Sequence, residues 1–337
     1  MILFAITIVA LAIVATVACG KTNGGAVLLH DFNVPNMLPL RGVCAILIIM
    51  LHVAQNIPQV PVLNELTVWG GLVVSIFFFM SGYGLMISYL KKGNSYLDGF
   101  LTRRFVKLLP AFLLTTVIYQ VYQSWTGCST LAESLVALKY GCPILPDSWF
   151  VIVILLYYLL FYLCARIFHR PLLMVIVLWL LTGVYLAIVL SLGWQNFWSR
   201  SVCAINVGFT FALVEGRVKQ FLSRSQATLI GAVWVIVGVM LAIIAAKYCG
   251  VGLTNFLNYL LPLLLVLVVY SSGKLNSRVF TFLGTISYEI YIAQCVFRHK
   301  LYFTASIHWS IYLISTIAAS IIVAILLNHI TRICTKK

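Results

Sequence analysis

Eleven apolar runs follow one another along this chain, at roughly 1–19, 42–57, 69–90, 104–124, 148–165, 171–192, 201–216, 226–247, 255–271, 280–297 and 303–328. Several approach or exceed the roughly 20 residues an α-helix needs to cross a hydrocarbon core of about 30 Å. The connectors are short, and no alternation of period two runs through the sequence. Helices rather than a closed barrel must therefore satisfy the backbone polar groups in lipid. With 63% hydrophobic and only 9% charged residues, the chain carries more apolar surface than a soluble core of this size could bury. The expected fold class is all-α, a polytopic integral membrane helical bundle of about ten to eleven transmembrane helices. Residues 1–337 form a single transmembrane domain, with 1–19 as an extra N-terminal helix and 303–328 as the last helix.

The net charge of +15 is topological in origin. Lys and Arg fall between the apolar runs instead of forming a patch interleaved with aromatics, so nucleic acid is not an expected partner. With the N-terminus outside, seventeen of the 22 Lys and Arg lie on inward connectors and five on outward ones. That asymmetry orients the chain with its N-terminus out and its C-terminus cytoplasmic. The first run ends in VATVACGK but lacks the basic leader of a signal peptide, and it reads as a retained helix. The cysteines and histidines show no metal-binding spacing, so no metal is expected. Cys128 and Cys142 share an outward connector, where either a disulfide or two free thiols would fit.

Within RGVCAILIIMLH, residues 41–52, a cation and an imidazole bracket ten residues that are otherwise almost all aliphatic. Arg41 and His52 are eleven positions apart, close to three helical turns, and so share one helix face about 16 Å apart. Ala45 and Ile48 lie between them on that face, and Cys44 beside it. Taken singly, Arg41 reads as a snorkelling anchor and His52 as a neutral imidazole hydrogen-bonded between helices. Ionisable residues inside a span are nevertheless functional candidates by default. Three further motifs accompany the pair. GGLVVSIFFFMSGYG carries Phe77, Phe78, Ser81 and Gly82 as FFxxSG. TRRFVKLLP places Arg104, Lys107 and Pro110 at three-residue steps. FLGTISYEIYIAQ runs LGxxSYxxY across 283–291.

This ordered set, together with the SWF at 148–150, resembles the membrane-bound acyltransferase-3 family, with 41–297 as the motif-bearing core. The resemblance implies about ten spanning helices and transfer of an acyl group, usually acetyl from cytoplasmic acetyl-CoA, to a hydroxyl of an extracytoplasmic saccharide or glycolipid. It also implies Arg41 and His52 as the essential pair. Arg104 and Lys107 match the family's RxxR with Lys in the second place, which alters bidentate binding. Gln294 stands where many relatives have His, and the first span is an addition to the family's usual start.

The residues agree with that resemblance. Arg41, Arg103, Arg104 and Lys107 are candidates to hold the phosphates of acyl-CoA, with the acyl arm rising past Ala45 towards His52. His52 suits general-base work, because an imidazole exchanges its proton near neutral pH. A covalent route through His52 or Ser81 is the alternative the sequence leaves open. Gly284, Ser287, Tyr288, Tyr291, Gln294 and Arg298 recur at three- and four-residue steps as a polar stripe that either lines the site or a water-filled cavity, with Tyr288, Tyr291 and Gln294 as candidate substrate contacts, or forms a helix–helix interface. Trp149, Asp147, Glu65 and Arg200 lie near the outer boundary as candidate acceptor contacts. Glu289 lies off the stripe at mid-membrane depth, and Glu215 lies near an inward helix end. The expected location is a bacterial cytoplasmic (inner) membrane, where a separate extracytoplasmic protein is a possible partner in completing transfer. The competing readings are a membrane transporter or flippase and a non-catalytic glycan-binding relative. No inverted repeat or matched pair of broken helices favours the transporter.

Overall fold

The computed structural model describes residues 34–57, 60, 67, 70–224, 277–298 and 308–335. The expected spans at 1–19, 226–247 and 255–271 lie outside the described residues, as do Glu65 and the side chain of Arg298. Among the described residues the regular structure is entirely helical. The helices are α1 (Val34–Asn56), α2 (Gly70–Lys92), α3 (Phe100–Trp125), α4 (Leu131–Lys139), α5 (Trp149–Ile167), α6 (Pro171–Ser191), α7 (Cys203–Arg224), α8 (Arg278–Thr285), α9 (Ser287–Arg298) and α10 (Trp309–Thr335). Short 3-10 turns at Gly93–Leu97 and Asn196–Trp198 precede α3 and α7.

Local chemistry sets several of these ends. Pro171 opens α6, where its missing N–H would have had no partner anyway. Lys91 and Lys92 close α2, where cations meet the negative end of the helix dipole. Thr130 and Glu133 form a reciprocal capping box at the start of α4. That pairing holds the Glu133 carboxyl below its ordinary pKa, because the Thr130 amide and hydroxyl both donate to the ionised form.

Helices α1, α2, α3, α5, α6, α7 and α10 each contain a stretch long and apolar enough to cross a membrane. The run at 280–297 departs from the single straight span expected of it, because α8 and α9 are bent by 73°. Ile286, between them, leaves helical geometry. The Thr285 hydroxyl turns back onto the Phe282 carbonyl at the break. The polar stripe is therefore split, with Gly284 on α8 and Ser287, Tyr288, Tyr291 and Gln294 on α9. The described residues thus hold seven spans, or eight counting the bent pair, fewer than the ten to eleven expected of the whole chain. Cys128 and Cys142 are both free thiols.

Packing follows two close helix crossings. In lipid no hydrophobic force drives helices together, so small residues that let backbones touch are decisive. A Cβ on Gly82 of α2 would run into the Ile205 carbonyl of α7, and one on Gly208 of α7 into the Phe79 carbonyl of α2. The second crossing joins α1 to α8. A Cβ on Gly42 would overlap the Phe280 carbonyl, and one on Gly284 the Leu38 carbonyl. Around the first crossing gather α5 and α6; around the second, α9, α10 and α3.

Buried polar bonds tie each group internally. The Tyr83 hydroxyl donates to the Glu215 carboxylate at 2.8 Å across α2 and α7. Thr182 of α6 contacts the Tyr157 hydroxyl of α5 and accepts from the Asn206 amide of α7, each at 2.6 Å. Leu113, Val117 and Val121 on α3, Leu172, Ile176 and Leu180 on α6, and Ile314 and Ile322 on α10 are exposed. These are the apolar faces of an integral membrane protein turned towards lipid.

The crossings make a direct prediction. Gly82→Ala forces the Ile205 backbone aside and is expected to destabilise the detergent-solubilised protein by about 1–3 kcal/mol. Gly84→Ala, two residues on with open space around it, should change stability by no more than about 0.5 kcal/mol. Thermal unfolding of both variants by circular dichroism is the check, and equal midpoints would remove Gly82 as the packing determinant.

Candidate functional site

Between the two groups of helices lies a cavity with about 910 Å³ of atom-free space, its mouth included. Five parts of the chain wall it. Arg41 and Ile48 come from α1; Val74, Phe77 and Ser81 from α2; and Arg104, Lys107 and Leu108 from α3. Phe150, Ile154 and Tyr158 come from α5, and the bent α8–α9 segment adds Gly284, Thr285, Ser287, Tyr288, Glu289 and Tyr291.

One end of the cavity is cationic. Arg104 is fixed from three sides: its Nη2 donates to the Tyr96 hydroxyl at 2.7 Å, and its guanidinium carbon lies 5.5 and 5.4 Å from the ring centres of Phe100 and Tyr158. Lys107, one turn along α3, is exposed. The Nε of Arg41 is buried with no hydrogen-bond partner, and an unmet buried donor costs about 1–3 kcal/mol. An anion entering the cavity would meet that donor. Glu289 supplies the opposite charge; it is buried and accepts from the Asn328 amide of α10 at 3.0 Å. Ser75 and Ser88 on α2 return their hydroxyls to the Gly71 and Gly84 carbonyls, whereas Ser81 lines the cavity. Tyr288 spans from α9 to the Leu108 carbonyl of α3 at 2.7 Å.

The other end is closed by rings. Phe150 lies 6.2 Å from Phe77, 4.7 Å from Phe78 and 5.5 Å from Tyr291, centre to centre. The Tyr291 hydroxyl donates to the backbone carbonyl of Asp147. Asp147 has a φ of +61° and is the one non-glycine residue with positive φ among those described. For an L-residue that conformation costs about 1–2 kcal/mol. Its carboxylate lies 3.8 Å from Nδ1 of His52, and the Gln55 side-chain oxygen lies 3.2 Å from the same nitrogen. His52 does not line the cavity; it stands one turn beyond Ile48, about 6 Å along α1.

The structure thus gathers Arg41, Ser81, Arg104, Lys107, Tyr288 and Tyr291 around one space, with His52 and Asp147 just past its aromatic end. Four other sequence candidates lie elsewhere. Arg103 is exposed and donates to the Asp98 and Tyr96 carbonyls, bracing the turn before α3. Trp149 is buried among Phe78, Phe150, Phe197 and Trp198. Arg200 packs at the start of α2 beside Gly70. Gln294 is 1% exposed, and both its amide atoms lack partners. Tyr158, Ser287 and Glu289 line the cavity without having been singled out as site residues. Ser287 carried a signal as a member of the polar stripe and Glu289 as an acidic residue at mid-membrane depth, whereas Tyr158 carried none.

A family profile described as an acyltransferase domain, acyltransferase-3, matches residues 40–329, which include every cavity residue named above. No curated protein and no solved structure matches the chain.

The cationic end can be probed with thiol chemistry. In a background with the other reactive cysteines replaced by serine, Ser81→Cys is expected to react about tenfold faster with a negatively charged methanethiosulfonate than with a positively charged one. Adding Lys107→Ala should narrow that ratio. Equal rates for the two reagents would mean that the three cations do not govern access.

Proposed function

The chain belongs to the acyltransferase-3 family of membrane acyltransferases, and from that premise we propose that it carries an acetyl group from cytoplasmic acetyl-CoA to a hydroxyl of an extracytoplasmic saccharide or glycolipid. The observation that supports this reading best is the asymmetry of the cavity. Three cations, Arg41, Arg104 and Lys107, converge at one end, and an imidazole beside a carboxylate stands just past the other.

In this reading the phosphates of acetyl-CoA meet Arg41, Arg104 and Lys107. The unpartnered Nε of Arg41 and the braced guanidinium of Arg104 make charge-assisted contacts with little reorganisation. The flexible arm then lies along Ile48, Phe77 and Ile154, with Ser81 placed to hydrogen-bond one of its amides. The thioester reaches the aromatic end near Tyr291. His52 takes the proton of the acceptor hydroxyl as that oxygen attacks the thioester carbonyl. The carbon–sulfur bond breaks, the acetyl group stays on the acceptor oxygen, and the departing thiolate recovers the proton from the imidazolium. The acceptor approaches from the His52 end, with Asp147 and Tyr291 beside its path. The seventeen-to-five distribution of Lys and Arg supports a cytoplasmic cationic end, within reach of acetyl-CoA, in a bacterial inner membrane.

Protein reconstituted in lipid with labelled acetyl-CoA and candidate glycans should move label to glycan. His52→Ala is expected to lower kcat by about 10²- to 10⁴-fold, and full activity in that variant would remove the proposed base. Arg104→Ala should raise the KM for acetyl-CoA about tenfold or more, the loss of one charge-assisted contact. Arg103→Ala should raise it far less. Equal effects of the two would place the donor outside this cavity.

A further inference from the structure

We propose that Glu289 is the resident counter-charge of the donor site: its carboxylate opposes the phosphates of the bound donor, keeps coenzyme binding weak, and so lets CoA leave after transfer. The inference rests on the reading that Arg41, Arg104 and Lys107 hold those phosphates.

Glu289 is the acid that the proposed transfer leaves without a role. It lines the cavity together with all three cations and is 2% exposed. A carboxylate repels a phosphate, so its place in the wall of an anion site needs a reason. Its surroundings favour the charged form. It stands in the first turn of α9, where free backbone amides and the helix dipole favour an anion. The Asn328 amide of α10 donates to one of its oxygens at 3.0 Å, a bond that holds the carboxylate in place without cancelling its charge. Arg41 of α1, Lys107 of α3 and Arg332 of α10 lie within electrostatic range of it. Among the described residues neither Arg41 nor Lys107 closes to an ion pair with it. Both cations can therefore meet an incoming anion, in a field that the carboxylate lowers.

The chemistry supplies the reason. Transfer moves the acetyl group and leaves the phosphates as they were, so CoA departs with the charges that acetyl-CoA brought in. Contacts to those phosphates bind substrate and product alike, and uniform binding of that kind lowers KM without speeding the chemical step. Three unopposed cations partly withdrawn from water would hold the product tightly, and its release would then limit turnover. One fixed carboxylate beside them weakens both forms of the coenzyme and favours their exchange.

The test measures CoA binding by titration calorimetry on the full chain in lipid nanodiscs, alongside transfer kinetics with labelled acetyl-CoA and a glycan that the wild type modifies. Glu289→Gln, which removes the charge and keeps the shape, is expected to bind CoA about tenfold tighter and to make CoA a correspondingly stronger product inhibitor. Glu289→Ala removes the same charge with a different shape and should tighten binding likewise. Glu289→Asp, which keeps the charge, should bind CoA more nearly as the wild type does. The gain should shrink as salt is raised, since screening weakens the repulsion that the wild type retains; a purely structural role for Glu289 would not produce that dependence. Unchanged or weaker CoA binding in neutral variants that keep the wild-type thermal midpoint would overturn the proposal, weaker binding making Glu289 a direct donor contact. If Arg104→Ala left CoA affinity unaltered, the placing of the phosphates would fail and this proposal with it, an outcome distinct from these.

Discussion

Gly42 on α1 and Gly284 on α8 meet backbone to backbone, and the cavity takes its position from that contact. A side chain on either glycine would strike a main-chain carbonyl of the opposite helix, so no larger residue allows the same approach. Arg41 is the immediate neighbour of Gly42, and the bend at Ile286 comes two residues after Gly284. The crossing therefore brings a guanidinium against Ser287, Tyr288 and Glu289, the first turn of α9. In lipid, where neighbouring helices gain nothing from excluding water, close packing of this kind is a main source of affinity between them. The Gly82–Gly208 crossing does the same for α2 and α7 and turns Ser81, the neighbour of Gly82, into the same space.

Charge within the cavity is uneven by construction. Arg41, Arg104 and Lys107 share it with Glu289 alone among acidic side chains of the lining, and Glu289 is already engaged by Asn328. Cations partly withdrawn from water and incompletely balanced attract an anion more strongly than the same groups would at an open surface. Aromatic rings supply much of what water would otherwise supply: Phe100 and Tyr158 flank Arg104, and Phe77, Phe150 and Tyr291 close the far end. The Asp98–Arg166 pair, 3.5 Å apart and largely exposed, has little structural weight by comparison.

The candidate site was legible where one helix carries the whole relation. Arg41 and His52 share α1, so their separation follows from helical pitch. Arg104 and Lys107, three residues apart on α3, both reach the cavity, whereas Arg103, one residue away, is rotated off it and binds carbonyls of its own turn. Ser81 and Gly82 divide in the same way, one towards the cavity and the other into α7. Periodicity misled over 280–297, where a bend at Ile286 splits a stripe that an unbroken helix would have kept on one face. Tyr158 gave no sign of its place, because an aromatic in an apolar run looks the same whether it faces lipid, a neighbouring helix or a guanidinium.

Hydropathy and charge placement are properties of short stretches of chain, and they add along it. The sequence by itself therefore determined an all-helical membrane bundle and the grouping of cations at the ends of its apolar runs. Which polar groups converge depends on how each helix is rotated and how nearly its backbone approaches the next, and neither is encoded within a single helix. Only the tertiary structure set Glu289 among the three cations and bent α8 from α9. It alone brought the carboxylate of a left-handed Asp147, on a connector fixed by Trp198 and Tyr291, to the imidazole of His52.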